Sequence, residues 1–367
     1  MPENGIQIRR PKAVIHGIGT ALPEDSKPQN EILELFLAQD HLHTTTGSET
    51  KKRDEFVRAV YAGSMIEKRH YATRAPFQLE KDIGSTMRVH LDLAIPLTVE
   101  ASKKAMKEAG VEPKDIKRLI FVSSTGLTAP GIESFLMEEL GLERDTTRAN
   151  VIFMGCAAAL TALNNAKEFC LDNPEQMCLI VSLELFSLHL GHDGGNDMAV
   201  YMSLFGDGCA AVVVSGEYGS NTKDKWSIEG NYSYLIPDSA TAITMGLMEK
   251  GLTGTLEPRV PNVIQKKMKG FMDGYHSKFG IDDVDHWCIH PGGPAIIKAV
   301  QTALELPDEK LEHSWECLKK YGNMSSATIL FILDRMRKFK ETKKDDNMIM
   351  LAFGPGVWVE SLFLIKQ

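Results

Sequence analysis

The sequence predicts a layered α/β protein in which one strand-and-helix unit occurs twice. Three observations carry that expectation. Short apolar runs alternate with helical patterns along the chain. The order strand, Gly/Pro loop, helix recurs in both halves, and the phrase Phe-Gly-x-Gly leading into an apolar run appears twice, as FGDGCAAVVV (205–214) and FGPGVWVESLFL (353–364).

RLIFVSS (118–124) has the pattern of a buried strand, and a Gly/Pro loop leads from it to the helix IESFLMEELG, with Gly141 as its terminal glycine. NVIFMG reads as a further short strand. Cys156 opens CAAALTALNNAKEFC, an Ala- and Leu-rich helix with no β-branched run to resist it. MCLIVS (177–182) is the next strand, and a glycine turn then leads into the β-rich FGDGCAAVVV. In the second half HWCI is a strand, HPGGP a loop, and AIIKAVQTAL a helix with apolar positions at 296, 297, 300 and 304. YGN leads into the helix MSSATILFILDRMRKF. The polar, turn-rich EYGSNTKDK (217–225) marks the seam, which predicts halves at 1–218 and 219–367.

At 367 residues the chain exceeds what one core usually serves, so two domains or one duplicated domain is expected. Hydrophobic residues make up 43% and charged residues 25%, an ordinary globular composition. A net charge of −8 argues against bulk nucleic-acid binding. The apolar stretch after Arg9 and Arg10 is interrupted by His16, Gly17 and Gly19, so no signal peptide is read. Gly354, Pro355, Gly356 and Glu360 break the C-terminal run, which excludes a membrane span. Cys156, Cys170, Cys178, Cys209, Cys288 and Cys317 form no CxxC pair and suit free thiols in a reducing cytoplasm. HLH (41–43) and HLGHD (189–193) gather His and Asp without a thiolate pair, and no metal site is expected.

Three residues carry candidate chemistry. Cys156 opens a helix, where the positive end of the helix and a neighbouring imidazolium would favour thiolate; inert packing is the bland alternative. His290 ends a strand, where open α/β sheets place their ligand sites, against the alternative of a satisfied core histidine. Asn323 precedes a helix, either as its N-cap or as a donor to a developing oxyanion. The duplicated order makes the three plausible neighbours. A Cys-His-Asn set also suits papain-like hydrolysis, but FMGCAAAL lacks that nucleophile signature.

GCAAAL, SLFGDGCAAVVV, IHPGGPAI, YGNMSSATILFILD and FGPG, in that order, resemble the type III polyketide synthases of the chalcone synthase superfamily from about Ile15 onward. The resemblance implies a duplicated thiolase-like fold, layered α-β-α-β-α with two pseudo-symmetric halves, and a homodimer. It implies that Cys156 takes an acyl starter from CoA, and that His290 and Asn323 bind the malonyl-CoA thioester carbonyl. No cofactor beyond CoA thioester substrates is implied. Repeated decarboxylative condensation and ring closure would then give a pyrone, resorcinol or phloroglucinol type product. Phe205 matches a gatekeeper phenylalanine beside Gly206, Ser325 a cavity position, Arg58 a CoA-binding base and Ala295 a backbone contact to CoA.

Other CoA-binding positions differ: Glu55 and Gly63 stand where lysines are expected, and Lys51, Lys52 and Arg53 lie nearby. Phe186 and His189 replace two threonines, Met245 a cavity glycine, Gly254 a second gatekeeper phenylalanine, and Ala129 an interface methionine. A ketoacyl synthase making a single condensation onto acyl carrier protein is the alternative within the same fold. Hydroxymethylglutaryl-CoA synthase is disfavoured because its glutamate base has no clear counterpart.

Overall fold

The structure, a computed structural model, describes residues 11–38, 48–73, 82–189, 195–217, 225–248, 251–338 and 342–367. Its strands in chain order are β1 Lys12–Ala21, β2 Ser26–Pro28, β3 Lys68–His70, β4 Ile116–Ser123, β5 Thr147–Ile152, β6 Met177–Leu185, β7 Asp207–Glu217, β8 Trp226–Leu235, β9 Gly246–Met248, β10 Gly251–Thr253, β11 His286–Ile289, β12 Asn347–Gly354 and β13 Trp358–Lys366. The helices are α1 Gln29–Leu37, α2 Ser48–Gly63, α3 Ile83–Ala109, α4 Ile132–Leu140, α5 Ala158–Asp172, α6 Asn196–Leu204, α7 Val260–Phe279, α8 Pro294–Leu304, α9 Glu312–Tyr321 and α10 Thr328–Arg337.

Nine strands form one mixed sheet in the order β11-β12-β13-β8-β1-β7-β6-β4-β5. Outward from the central β1/β8 seam, the run β1-β7-β6-β4 and the run β8-β13-β12-β11 repeat one plan. In each, the first two pairings are antiparallel and the third is parallel. Thus β7 and β13, the strands that follow the two Phe-Gly-x-Gly phrases, hold equivalent places. The phrases themselves differ: Phe205 ends α6, whereas Gly354–Val357 is the turn of a β12–β13 hairpin.

Alternation along the strands builds the layers, because neighbouring side chains point to opposite faces. Ile120 and Val122 of β4, with Met348 and Met350 of β12, pack on the alanine-rich α5 and on α10. Leu119 and Phe121 face the other way, against α3 and α4. Ile349 and Leu351 do the same against α7 and α8. The sheet therefore wraps the α5/α10 pair, with a further helical layer outside each run. Gly141 terminates α4 in the left-handed region at φ 68°, as its position in the sequence suggests. The long helices α3 and α7 were not among the sequence-based expectations.

Candidate active site

Cys156 sits just beyond β5, on a short 3₁₀ turn, Gly155–Ala157, that runs straight into α5. The turn is left-handed at Phe153 (φ 56°) and Gly155 (φ 63°). A Cβ on Gly155 would stand 2.6 Å from Pro355 Cδ, so the glycine lets the FGPG turn close directly onto the Cys156 turn. Gly155 N also donates to Ser124 Oγ at 3.2 Å. A matching 3₁₀ turn, Ser325–Ala327, runs into α10. Asn323 precedes it, paired to Phe205 through an isolated bridge rather than following a strand.

Asn323 is a brace between three of the sequence phrases. Its backbone N donates to Leu204 O at 2.9 Å and its carbonyl accepts from Gly206 N at 3.0 Å. Its Nδ2 donates to Gly292 O in the HPGGP loop at 3.2 Å, while Oδ1 accepts from Ser325 N at 2.7 Å. The N-cap reading is thereby replaced, since α10 begins after Ala327 without a side-chain cap. Cys156 Sγ lies 4.0 Å from Asn323 Oδ1.

His290 ends β11 where the strand pattern places it, fully buried, with its backbone N donating to Leu351 O at 2.8 Å. Neither ring nitrogen has a hydrogen-bond partner among the described residues. A buried polar group left so costs about 1–3 kcal/mol, which marks a ring that a ligand would satisfy. Burial holds its pKa down at about 3, so the ring is neutral. Burial, with a smaller contribution from the Glu184 charge, also pushes the half-buried Cys156 thiol up to about 11, opposed by its hydrogen bonds with Ser325 and Asn323, whose Oδ1 accepts from the thiol. The imidazolium-assisted thiolate anticipated from the sequence is absent from this resting state, because burial disfavours charge on each group.

Phe205, Phe186 and Tyr201 stack beside this trio. The Phe186 and Phe205 rings lie 4.0 Å apart at 7°, and Tyr201 is 5.5 Å from Phe205. Gly206 has no room for a side chain, since a Cβ would meet Tyr321 O at 2.8 Å. His189 is buried, with Nε2 2.7 Å from Thr125 O. Ser325 is buried at a φ of 47° and hydrogen-bonds Cys156.

Met245 and Gly254 line an open cleft of about 750 Å³ with Asp197, Met198 and Thr253. Gly254 has a second role: a Cβ would lie 2.0 Å from Thr244 O, so glycine permits the pairing of Thr244 with Thr255. Arg58 is on the surface, with Nη1 2.6 Å and Nη2 3.3 Å from the Glu34 carboxylate. Ala295 is exposed in the first turn of α8. Lys51 and Lys52 are exposed on α2, and the Arg53 guanidinium lies 5.9 Å over the Phe36 ring.

Sequence reasoning missed two buried charges that hold the site. Arg69 Nη1 donates to Met202 O and, at 2.6 Å, to Phe205 O, fixing the segment that carries Phe205. Glu184 accepts from Ser124 N at 3.0 Å, Thr125 Oγ1 at 3.2 Å and Ser326 Oγ at 2.5 Å, linking the turns before both central helices. The only signal was an acidic residue inside the strand run MCLIVSLEL. Among the described residues no group of three His, Cys, Asp or Glu side chains is placed to hold a metal; His41, His43, His192 and Asp193 lie outside those residues.

A duplicated α/β unit with a cysteine, a neutral buried imidazole and an amide at its corners has the architecture of the thiolase-like class. The chain belongs to the chalcone and stilbene synthase family: the model of its N-terminal domain matches residues 3–218 and that of its C-terminal domain residues 228–366. It is a type III polyketide synthase, an acyltransferase that works by decarboxylative condensation. Among its relatives, the alpha-pyrone synthesis polyketide synthase-like Pks18 of Mycobacterium tuberculosis is 32% identical, over 95% of this chain and 90% of that one. The 1,3,6,8-tetrahydroxynaphthalene synthase of Streptomyces peucetius is 29% identical, over 95% and 92%. The crystal structure of PKS-I from the brown alga Ectocarpus siliculosus superposes with a TM-score of 0.90 at 30% identity, covering 98% of this chain and all of that one.

Proposed function

We propose that Cys156 carries the growing chain and that His290 and Asn323 act on malonyl-CoA. In loading, Sγ bonds to the acyl carbon of a starter CoA thioester, the bond to the CoA sulfur breaks, and the thiol proton ends on the departing CoA. The neutral His290 ring is the base within the trio. In extension, the malonyl C–C bond breaks, carbon dioxide leaves, and the electron pair forms an enolate whose oxygen takes hydrogen bonds from His290 N–H and Asn323 Nδ2. These donors favour the state that forms over the substrate, which is what accelerates a reaction. The enolate carbon then attacks acyl-Cys156 and frees the thiolate for the next round. The observation that carries this reading is the buried His290 ring with two unpartnered nitrogens, next in the fold to an amide that lies against the thiol.

Cys156→Ala is expected to lose covalent loading of radiolabelled starter, while Asn323→Ala loads but extends about a hundredfold to a thousandfold more slowly. Normal loading of the alanine variant at 156 would remove the nucleophile assignment. Products with several extensions and no carrier protein are expected; a single, carrier-dependent extension would favour the ketoacyl synthase alternative.

The same reading assigns Arg58 and Ala295 to the CoA entrance, with Arg58 exchanging Glu34 for a CoA phosphate. It assigns Phe205, Gly206, Ser325, Phe186, His189, Met245 and Gly254 to the acyl pocket. It places the boundary between halves at 218/219, between the two matched domains. It includes a homodimer, supported by the exposed Leu127, Ile152 and Met154 near the free edge of β5. Among the described residues no helix is long and apolar enough to cross a membrane. Six free cysteines, five of them buried, support a reducing cytoplasm as the setting.

A further inference from the structure

The last turn of α6 is buried, and its carbonyls meet donors from several other parts of the chain. A helix leaves its final carbonyls without partners inside the helix. Here Tyr201 O accepts from Phe205 N at 2.9 Å. Met202 O accepts from Arg69 Nη1 at 2.5 Å and from Tyr61 Oη at 3.3 Å, and Ser203 O from Gln29 Nε2 at 2.8 Å. Leu204 O takes the backbone N–H of Asn323 itself, and Arg69 Nη1 also reaches Phe205 O. A cation therefore closes a helix C-terminus, where positive charge is favoured, and Asn323 is bound beside it.

The stem of Arg69 bears on the same residue from another side. Gly322 stands at φ 71°, and a Cβ there would lie 2.8 Å from both Cγ and Cδ of Arg69. A Cβ on Gly206 would lie 3.5 Å from Arg69 Cβ. These two glycines flank the bridge between Phe205 and Asn323, so the arginine packs on bare backbone at that bridge. Its own conformation is fixed. Nε donates to Gln29 Oε1 at 3.0 Å, and the guanidinium carbon lies 5.8 Å from the Tyr61 ring centroid and 5.5 Å from that of Tyr71. A planar guanidinium can stack on aromatic faces and donate in its plane at once, which an ammonium cannot.

Cys156 and His290 take their places from elsewhere. The Cys156 turn rests on Ser124 and Pro355, and the His290 backbone bonds to Leu351. Loss of the Arg69 contacts would thus move Asn323 while leaving the thiol in place. We propose that Arg69 is a positioning residue for extension: it sets where the Asn323 amide stands, and through it the rate of malonyl-CoA decarboxylation, without a part in loading Cys156. This rests on the polyketide synthase reading and adds a residue that acts through one of its donors. A displacement of about 1 Å caused by a residue away from the chemistry costs about a hundredfold in rate.

The test compares wild type, Arg69→Lys, Asn323→Ala and the double variant as full-length enzymes. Loading is read by intact mass with acetyl-, hexanoyl- and benzoyl-CoA, using whichever the wild type accepts, and extension by carbon dioxide release from malonyl-CoA per loaded enzyme. Arg69→Lys keeps the charge and loses the planar fork. Its decarboxylation kcat is expected to fall by about tenfold or more, with loading and the KM for malonyl-CoA within about threefold of wild type. Because the arginine acts through Asn323, adding Arg69→Lys to Asn323→Ala is expected to cost no more than about threefold beyond Asn323→Ala alone. A residue that only stabilised the fold would lower loading and decarboxylation together, and its effect would multiply with that of Asn323→Ala. Either result would overturn the proposal, as would unchanged decarboxylation in Arg69→Lys. Should Arg69→Lys fail to fold, Gln29→Met, which removes the partner of Nε and the donor to Ser203 O, is read by the same criteria. A wild type that neither loads a starter nor releases carbon dioxide would instead remove the polyketide reading, and the role of Arg69 with it.

Discussion

A carboxyl group without solvent contact is linked to the Cys156 turn through Ser124: Glu184 accepts from Ser124 N, and Ser124 Oγ accepts from Gly155 N. Burial pushes its pKa from 4.5 up to about 7, opposed by hydrogen bonds from Ser326, Ser124 and Thr125. A folded-state pKa above the unfolded one means that the folded chain holds the extra proton, so stability falls as pH rises from about 4.5 through about 7. The part due to Glu184 is on the order of 3 kcal/mol. Asp207, pushed up to about 6 by burial, adds a loss of the same sign at lower pH. In urea unfolding at pH 5 and pH 8, wild type is expected to lose about 3 kcal/mol more than Glu184→Gln between the two; parallel behaviour would contradict it. The corner positions of Cys156, His290 and Asn323 were legible because Gly or Pro marks each corner of the repeated unit. Glu184 and Arg69 were not, because nothing local separates a buried charge from an exposed one; only their places in the packed interior do.

Close contact between backbones, rather than side-chain volume, seats α3 on β1. A Cβ on Gly19 would lie 2.1 Å from Ala101 O and 2.5 Å from Ala105 N, and one on Gly17 2.3 Å from Ala105 O. Ala101 and Ala105 keep the helix side of the contact thin, and Glu108 accepts from Ile18 N at 2.6 Å. Gly19→Ala is therefore expected to force the helix off the strand and cost about 1–3 kcal/mol in chemical unfolding. The control is Gly63→Ala, where a Cβ meets nothing within 4 Å and the change should stay within about 0.5 kcal/mol. Equal effects would refute the close-contact account. Read as sequence, Gly17 and Gly19 only interrupted an apolar run. Their need shows once α3 is present, and α3 itself, with Pro96 inside it, carries no clean apolar stripe to announce it. Strands β4, β5, β6, β7, β11 and β13 and the helices α4, α5, α8 and α10 were legible because period and punctuation agreed in each, whereas the central β1 and β8 were not called.

The repeated phrases were legible as a duplication, but the inequality of its halves was not. The run outward from β1 has five strands, ending in β5, whereas the run from β8 has four and ends in β11. In place of a further strand, the second half carries α9 and the single bridge at Asn323. Among the described residues β5 is an edge strand; its last residue, Ile152, is 39% exposed, and Met154 and Leu127, in the loops beyond β5 and β4, are 41% and 49% exposed. An open edge with apolar side chains invites pairing with another chain unless something covers it. A second copy related by a twofold axis would cover it with its own β5 and would bring the exposed Ala129 loop of each chain to the shared boundary. The chain is therefore expected to sediment as a dimer at micromolar concentration, and Ile152→Asp to shift it toward monomer with an unchanged far-ultraviolet circular dichroism spectrum. A wild-type monomer, or a variant that stays dimeric, would mean that some other surface covers the edge.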